Sequence, residues 1–288
     1  MSPKMDATTR LLAMGLLGHF NDEMTRVVDE AFGTRWAEIE DILAIAVIVS
    51  GASPTTRALA DIAKLDRRAT SRMVSRLQAE GLVSTRPSPT DRRAVQVLLT
   101  AHGNRQAKEL RASIAAFFVQ SAPIATQISE GLGFASPTSE LENSADAFDL
   151  LRRVCEAGVA LVRVMPDSVT EGQLAARQRA ALVQIAMQPG ARPNDLVSSL
   201  EVSRAGVAYI VDQLCSKGFV TRHRGAVPGD RRAVTLEATA NGLQAVHDAM
   251  DGIEQQRESL AALFAEVAAW SPSRAAAERP LMPANREE

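Results

Sequence analysis

Arg67, Arg68, Arg72 and Arg76 crowd into one short stretch, threaded by Thr70, Met73, Val74 and Leu77. On a helix the apolar set takes the i, i+3, i+4, i+7 positions and turns inward. Arg67, Arg68, Ser71, Arg72, Ser75 and Arg76 are then left facing outward. Long cationic donors in such an array suit phosphate oxygens and the acceptor edges of guanine. An ordinary solvated face is the competing reading, although no acidic residue sits among them. A further basic pair lies in Asp91-Arg92-Arg93-Ala94-Val95, which recurs as Asp230-Arg231-Arg232-Ala233-Val234. Each copy runs through an alternating segment into the same Thr-Ala-x-Gly frame, at Thr100–Gly103 and Thr239–Gly242. A repeat of this kind points to two copies of one structural unit.

The composition bounds what such a surface can mean. The chain has 288 residues, 46% of them hydrophobic, and a net charge of −2. That is enough apolar material for two cores, and the basic charge must be local. Residues 57–93 carry nine Lys/Arg against four Asp/Glu, and residues 192–232 carry seven against four. The two cysteines, Cys155 and Cys215, argue against a secreted disulfide scaffold. The amino terminus lacks the form of a signal peptide, and the longest apolar run, Ile42–Val49, is far short of the ~20 residues of a membrane span. A soluble, cytoplasmic protein without membrane contact is expected. The four histidines show no metal-ligand spacing with each other or the cysteines. With no Gly-rich phosphate loop, Gly-x-Ser-x-Gly or His-Glu-x-x-His present, no metal, no cofactor and no enzymatic activity are expected.

The elements that must position the arginines follow from periodicity. Asp6–Phe32 reads as an amphipathic helix on Leu12, Leu16, Phe20, Met24, Val27, Val28 and Ala31, stopped by Gly33. A buried helix over Thr34–Ser50 follows. Thr56–Lys64 is a short helix with Leu59, Ile62 and Ala63 inward. Asp66 caps the arginine helix, which runs to Ala79 and ends at Gly81. Leu82–Arg86 and Val95–Leu99 form a β-hairpin around a turn at Pro87–Asp91. Thr100 caps a helix to about Val119, and residues 121–139 carry little structural signal. Ser139-x-x-Glu142 opens a helix to Val164, and Thr170-x-x-Gln173 opens another to Met187. Leu59/Leu196, Arg67/Arg204, Val74/Val211, Leu77/Leu214, Gly81/Gly218 and Val83/Val220 then align without a gap. The second hairpin is two residues longer at its tip, within His223–Gly229. A single long helix is expected over Thr239–Trp270. The domain boundaries are 6–130 and 139–270, with 271–288 a disordered tail.

Helix, helix, helix-turn-helix, Gly-Leu-Val, a turn and Asp-x-Arg-x-x-x-Val-x-Leu-Thr resembles the multiple antibiotic resistance regulator (MarR) family. Asp91–Thr100 matches that family's wing signature nearly completely. The second copy keeps Asp230–Leu236 and Thr239 but has Ala238 for the leucine. The resemblance covers nearly all of residues 6–270 as two tandem units. It implies a mainly α fold with small β-wings: two winged helix-turn-helix domains joined by a helical dimerisation-type core, a covalent pseudo-dimer. Helices that pack only on their own domain are the alternative.

By this resemblance the chain is a DNA-binding transcription regulator, a repressor, with two recognition helices in the major groove and two wings in the minor groove of a pseudo-palindromic operator. The partner is double-stranded DNA. The protein is a monomeric pseudo-dimer, with a homodimer of two chains as the alternative. The expected contacts are Arg67, Arg68, Ser71, Arg72, Ser75, Arg76, Arg86, Arg92 and Arg93 in the first copy. In the second they are Arg204, Tyr209, Arg222, Arg224, Arg231 and Arg232. Asp91 is expected to orient Arg93, and Asp230 to orient Arg232. Ala205, Ala208, Tyr209 and Asp212 replace Arg68, Ser71, Arg72 and Ser75, so the two half-sites should be unequal. Many relatives bind a small aromatic effector between helical core and winged helix. Phe20, Met24, Trp36 and Phe148 are the candidates here, with core packing as the other reading. Cys155, beside Arg152 and Arg153, occupies the helix that carries a peroxide-sensing cysteine in some relatives; a buried structural cysteine is the expectation. A winged-helix scaffold that binds proteins and reads no bases is the competing function.

Overall fold

The structure is a computed structural model that describes residues 7–272, apart from 35–36, 52, 90, 92, 134–145, 165–173, 175, 201 and 226–232. The first copy contains α1 (Ala7–Phe32), α2 (Ile39–Val49), α3 (Thr56–Ala63), α4 (Arg67–Ala79), β1 (Val83–Pro87), β2 (Val95–Leu99), α5 (Ala101–Gln120) and α6 (Ala122–Gly131). The second contains α7 (Ala147–Val164), α8 (Ala176–Met187), α9 (Asp195–Ser199), α10 (Arg204–Ser216), β3 (Val220–Arg224), β4 (Val234–Ala238), α11 (Ala240–Gln255) and α12 (Arg257–Ala269). Each copy therefore holds a helix-turn-helix followed by an antiparallel hairpin, paired Val83↔Leu99 in one and Val220↔Ala238 in the other.

Two compact units result, and each draws helices from both sequence copies. The amino-terminal unit takes α1 from Arg26, α2 to α5, α6 to Thr126, α7 to Glu156 and α12 from Ala262. Its core includes the whole of α2 from Ile42 to Val49 with Leu59, Met73, Leu77, Val97, Ile114 and Phe118. Three long-range ties bind it. The Phe118 ring meets Trp270 edge-on at 5.8 Å. Arg153 grips the buried Glu266 at 2.7 Å. Arg111 pairs with Asp146 and lies 4.3 Å from the centre of the Phe148 ring. The carboxy-terminal unit takes α1 to Thr25, α6 from Gln127, α7 from Ala157, α8 to α11 and α12 to Ala261. In it Arg10 reaches Asp251 at 3.2 Å, and Ser129 Oγ donates to the Ala261 carbonyl at 2.9 Å. These ties join helices far apart in the chain.

The recurring Thr-Ala-x-Gly frame has a mechanical explanation. Thr100 caps α5 by accepting from Gly103 N at 2.9 Å and donates to the Gly81 carbonyl at 2.6 Å. Thr239 does the same with Gly242 N at 3.1 Å and Gly218 O at 2.7 Å. Each helix passes so close to the residue just before the first strand of its hairpin that a Cβ on Gly103 would lie 1.9 Å from the Leu82 carbonyl oxygen. On Gly242 it would lie 2.2 Å from that of Phe219. Only glycine fits either crossing.

Several expectations need correction. The second helix starts at Ile39 because Glu38 and Asp41 form a capping box there, while Thr34 bonds back to Asp29. Ile62 is 36% exposed; α3 is short and turns only Leu59 and Ala63 inward. In α1 the buried line is Ala13, Phe20, Met24 and Val28, and Leu12 is exposed. The region after α5 is helical: Ser121 ends α5 and accepts from Ala125 N to start α6, whose Pro123 sits in the first turn where no N–H is needed. The last long helix is two. Gln256, at φ −101° and ψ 7°, leaves the helical path between α11 and α12. Both proposed capping boxes, at Ser139–Glu142 and Thr170–Gln173, and nearly all of the 271–288 tail lie outside the described residues.

Candidate nucleic-acid interface

Local chemistry sets the arginine helix. Asp66 accepts from Ala69 N at 2.7 Å and caps α4. That bond, with Arg72 and Arg68 nearby, holds its carboxyl below the usual carboxylate range. Lys64, in the left-handed region at φ 57°, ends α3 and makes the turn between the two helices. Thr70, Met73, Val74 and Leu77 are buried, and Arg67, Arg68, Ser71, Arg72, Ser75 and Arg76 are all exposed. The face anticipated from periodicity is thus present as one surface. Burial raises the Asp41 carboxyl of α2 to about 6, even though the bond from Glu38 N and the nearby Arg76 pull it down.

The first wing is held against the turn before α3. Val97 N donates to the Pro54 carbonyl at 2.9 Å, and Gln96 Nε2 reaches the Ser53 carbonyl at 3.3 Å. Arg86 is exposed on β1 opposite Gln96, whose amide oxygen is 3.5 Å from its Nε. Arg93 is exposed at the tip. The aspartate brace takes a backbone form: Asp91 Oδ1 accepts from Arg93 N at 2.9 Å, and its carbonyl accepts from Ala94 N. Asp91 therefore shapes the tip rather than gripping the guanidinium. Arg92, Asp230, Arg231 and Arg232 lie outside the described residues.

The second head repeats the scaffold with different surface chemistry. Ser203 caps α10 by accepting from Gly206 N at 3.1 Å, and Val207, Ile210, Val211 and Leu214 are buried. Leu236 N donates to the Ala191 carbonyl at 2.8 Å, the counterpart of Val97 and Pro54. Arg204, Ala205, Ala208, Tyr209 and Asp212 are exposed. Arg224 is exposed on β3. Arg222 is not free to act alone. Its guanidinium lies 2.6 Å from Asp212 Oδ1, an ion pair between wing and helix that sequence reasoning passed over. The signal was available: Asp212 is the one acid on the outward face of α10. His223 similarly meets Glu237 across the hairpin at 3.1 Å.

Three of the four effector candidates are buried. Phe20 and Met24 are buried in α1, Phe148 is buried in α7, and Trp36 lies outside the described residues. Cys155 is fully buried, and burial pushes its thiol far above the ordinary value, with Glu156 and Glu40 adding to the effect. A thiol in that state is a packing group, not a nucleophile. Burial also raises the Cys215 thiol, against the pull of Arg222. Among the described residues no cluster of His, Cys, Asp and Glu could hold a metal ion, and no helix is long and apolar enough to cross a membrane.

A model of the MarR family matches residues 40–94 and 173–233, which in each copy hold the helix-turn-helix and the first wing strand but stop before the second. Both winged segments are thus similar to the MarR family. Solved structures are similar over part of the chain at low identity. MarR from E. coli in its apo form is 20% identical, over 42% of this chain and 82% of that one, with a TM-score of 0.30. A cysteine-to-serine mutant of the same protein, complexed with operator DNA, is 22% identical over 44% and 86%, with a TM-score of 0.31. BpsR of Bordetella bronchiseptica, whose DNA binding is regulated by 6-hydroxynicotinic acid, is 18% identical over 42% and 80%, with a TM-score of 0.27. No curated protein matches the chain. The family match touches both the arginine-rich first head and the second one.

Proposed function

We propose that this chain is a sequence-specific DNA-binding regulator that represses transcription by occupying its operator. In this reading α4 and α10 enter the major groove at two half-sites, and the wings reach the flanking minor grooves through Arg86, Arg92 and Arg93 and through Arg224, Arg231 and Arg232. The observation that carries it is the outward face of α4. Arg67, Arg68, Arg72 and Arg76 are exposed together on a helix whose opposite side is buried. A protein-binding scaffold would expose an apolar or aromatic patch there instead. One chain supplies both heads, so it acts as a single 30.9 kDa pseudo-dimer; a dimer by light scattering would contradict this. Release by a small aromatic effector rests on the resemblance to the MarR family, and a panel of phenolic acids that leaves affinity unchanged would remove it.

The experiment is selection of duplexes from random DNA, followed by affinity measured against salt. Affinity should fall steeply as salt rises, with a log–log slope of about −0.9 per phosphate neutralised. Arg72→Ala should cost ~1–3 kcal/mol and relax specificity in one half-site. Binding that ignores salt, or recovery of no preferred sequence, would refute the reading.

A further inference from the structure

The two heads share a scaffold and differ in what they offer a base pair. On α10 the residues Ala205, Ala208, Tyr209 and Asp212 fall at i, i+3, i+4 and i+7, one exposed stripe beside the buried one. The first head has Arg68, Ser71, Arg72 and Ser75 in those places, four donors. The second has two methyl groups, a phenol ring that is 64% exposed and one carboxylate. We propose that the second head recognises thymine methyl groups in a thymine-rich half-site, while the first reads guanine through its arginines. This rests on the DNA-binding reading above and names the base chemistry of each half-site.

The argument is one of matching and of exclusion. Thymine is the base whose major-groove edge carries an apolar group, the 5-methyl. Alanine side chains at 205 and 208 let the helix approach closely and place their own methyls there. The Tyr209 ring gives a flat apolar surface with a hydroxyl at its rim. Guanine in that position would set two acceptors against the alanine methyls with the single Tyr209 hydroxyl as the one donor of the stripe, and an unmet acceptor is costly. Asp212, the group that would accept from cytosine, is occupied by Arg222 at 2.6 Å. Arg204 and Arg224 are exposed at the ends of α10 and β3, so the stripe has a cationic border matched to phosphates. A protein partner would meet the apolar centre but has no need of that border.

The test uses the full chain and the duplex recovered by selection. Each thymine is replaced in turn by deoxyuridine, which deletes only the methyl. Loss of a buried methyl contact should weaken binding by about fourfold, and the losses should fall in one half-site. Tyr209→Ala should abolish the penalty at one of these positions, and Tyr209→Phe should keep it. Deoxyuridine that is tolerated throughout, or losses that persist unchanged in Tyr209→Ala, would overturn the inference while leaving DNA binding intact. Failure to bind any duplex would overturn both.

Discussion

Replacing Gly103 with alanine sets two effects against each other. Gly103 lies in the first turn of α5, and alanine is the better helix former by about 0.8–1.0 kcal/mol. Propensity alone therefore predicts a stabilised protein. The packing predicts the opposite. An ideal Cβ would sit 1.9 Å from the Leu82 carbonyl oxygen and 2.9 Å from its carbon. Unbonded carbon and oxygen approach no closer than about 3.3 Å, so helix or strand must move by well over an ångström. The Leu82 carbonyl cannot swing aside without cost, because it accepts from Thr100 N at 3.0 Å. Overpacking with softer side-chain neighbours costs about 1–3 kcal/mol; against backbone the upper end is the floor. Subtracting the helix gain leaves a net loss of at least ~2 kcal/mol. Urea unfolding of the full chain measures it. Gly15→Ala and Gly18→Ala in α1 are the controls, since a Cβ on either meets nothing within 4 Å. They should gain up to about 1 kcal/mol. If Gly103→Ala matches those controls, the close crossing is not what the repeated glycine serves.

Three other perturbations separate the parts of the molecule. Arg153→Met strands Glu266, which is 2% exposed, without its bidentate partner, and should cost about 3–5 kcal/mol by urea unfolding. An unchanged midpoint would refute a role for this pair. Asp41→Asn tests the carboxyl that burial raises from 3.8 to about 6. The folded state holds a proton between those values that the unfolded chain has released, so wild-type stability falls as pH climbs through this window, by up to ~3 kcal/mol at about 1.36 per unit. Asparagine stays neutral, so unfolding curves of the variant should lack that slope and show higher stability at pH 7; a parallel slope in both proteins would exclude Asp41 as its source. Asp212→Asn removes a negative charge from the outward face of α10 and frees Arg222 for a phosphate. DNA affinity should rise and the log–log salt slope steepen by about 0.9, whereas weaker binding would mean that the ion pair positions the wing.

What could be read from sequence and what could not divide along contact range. The faces of α4 were legible because Thr70, Met73, Val74 and Leu77 announce their inward side by spacing alone, and Asp66 announces the cap. The returning strand was legible from the alternation of Val95, Val97 and Leu99, although of the three only Val97 is buried and Val95 is exposed. The break at Gln256 carried no such mark: no glycine or proline stands there. Its position is settled by partners elsewhere, Asp251 meeting Arg10 before the break and Glu266 meeting Arg153 after it. Ile62 was misplaced because three apolar residues on an eight-residue helix do not say which two face inward. In the same way Arg222 looked like its counterparts in the wings. Only folding brings Asp212 to it, and that contact changes its chemistry from a free cation to half of an ion pair. Duplication explains why both heads kept the scaffold: Gly103 and Gly242 sit at crossings with no room for a Cβ, and Thr100 and Thr239 each cap a helix and bond back to a glycine carbonyl. No such crossing constrains the outward faces of α4 and α10, and there the copies have drifted into different chemistry. If the two faces meet one duplex, its halves must differ as the faces do.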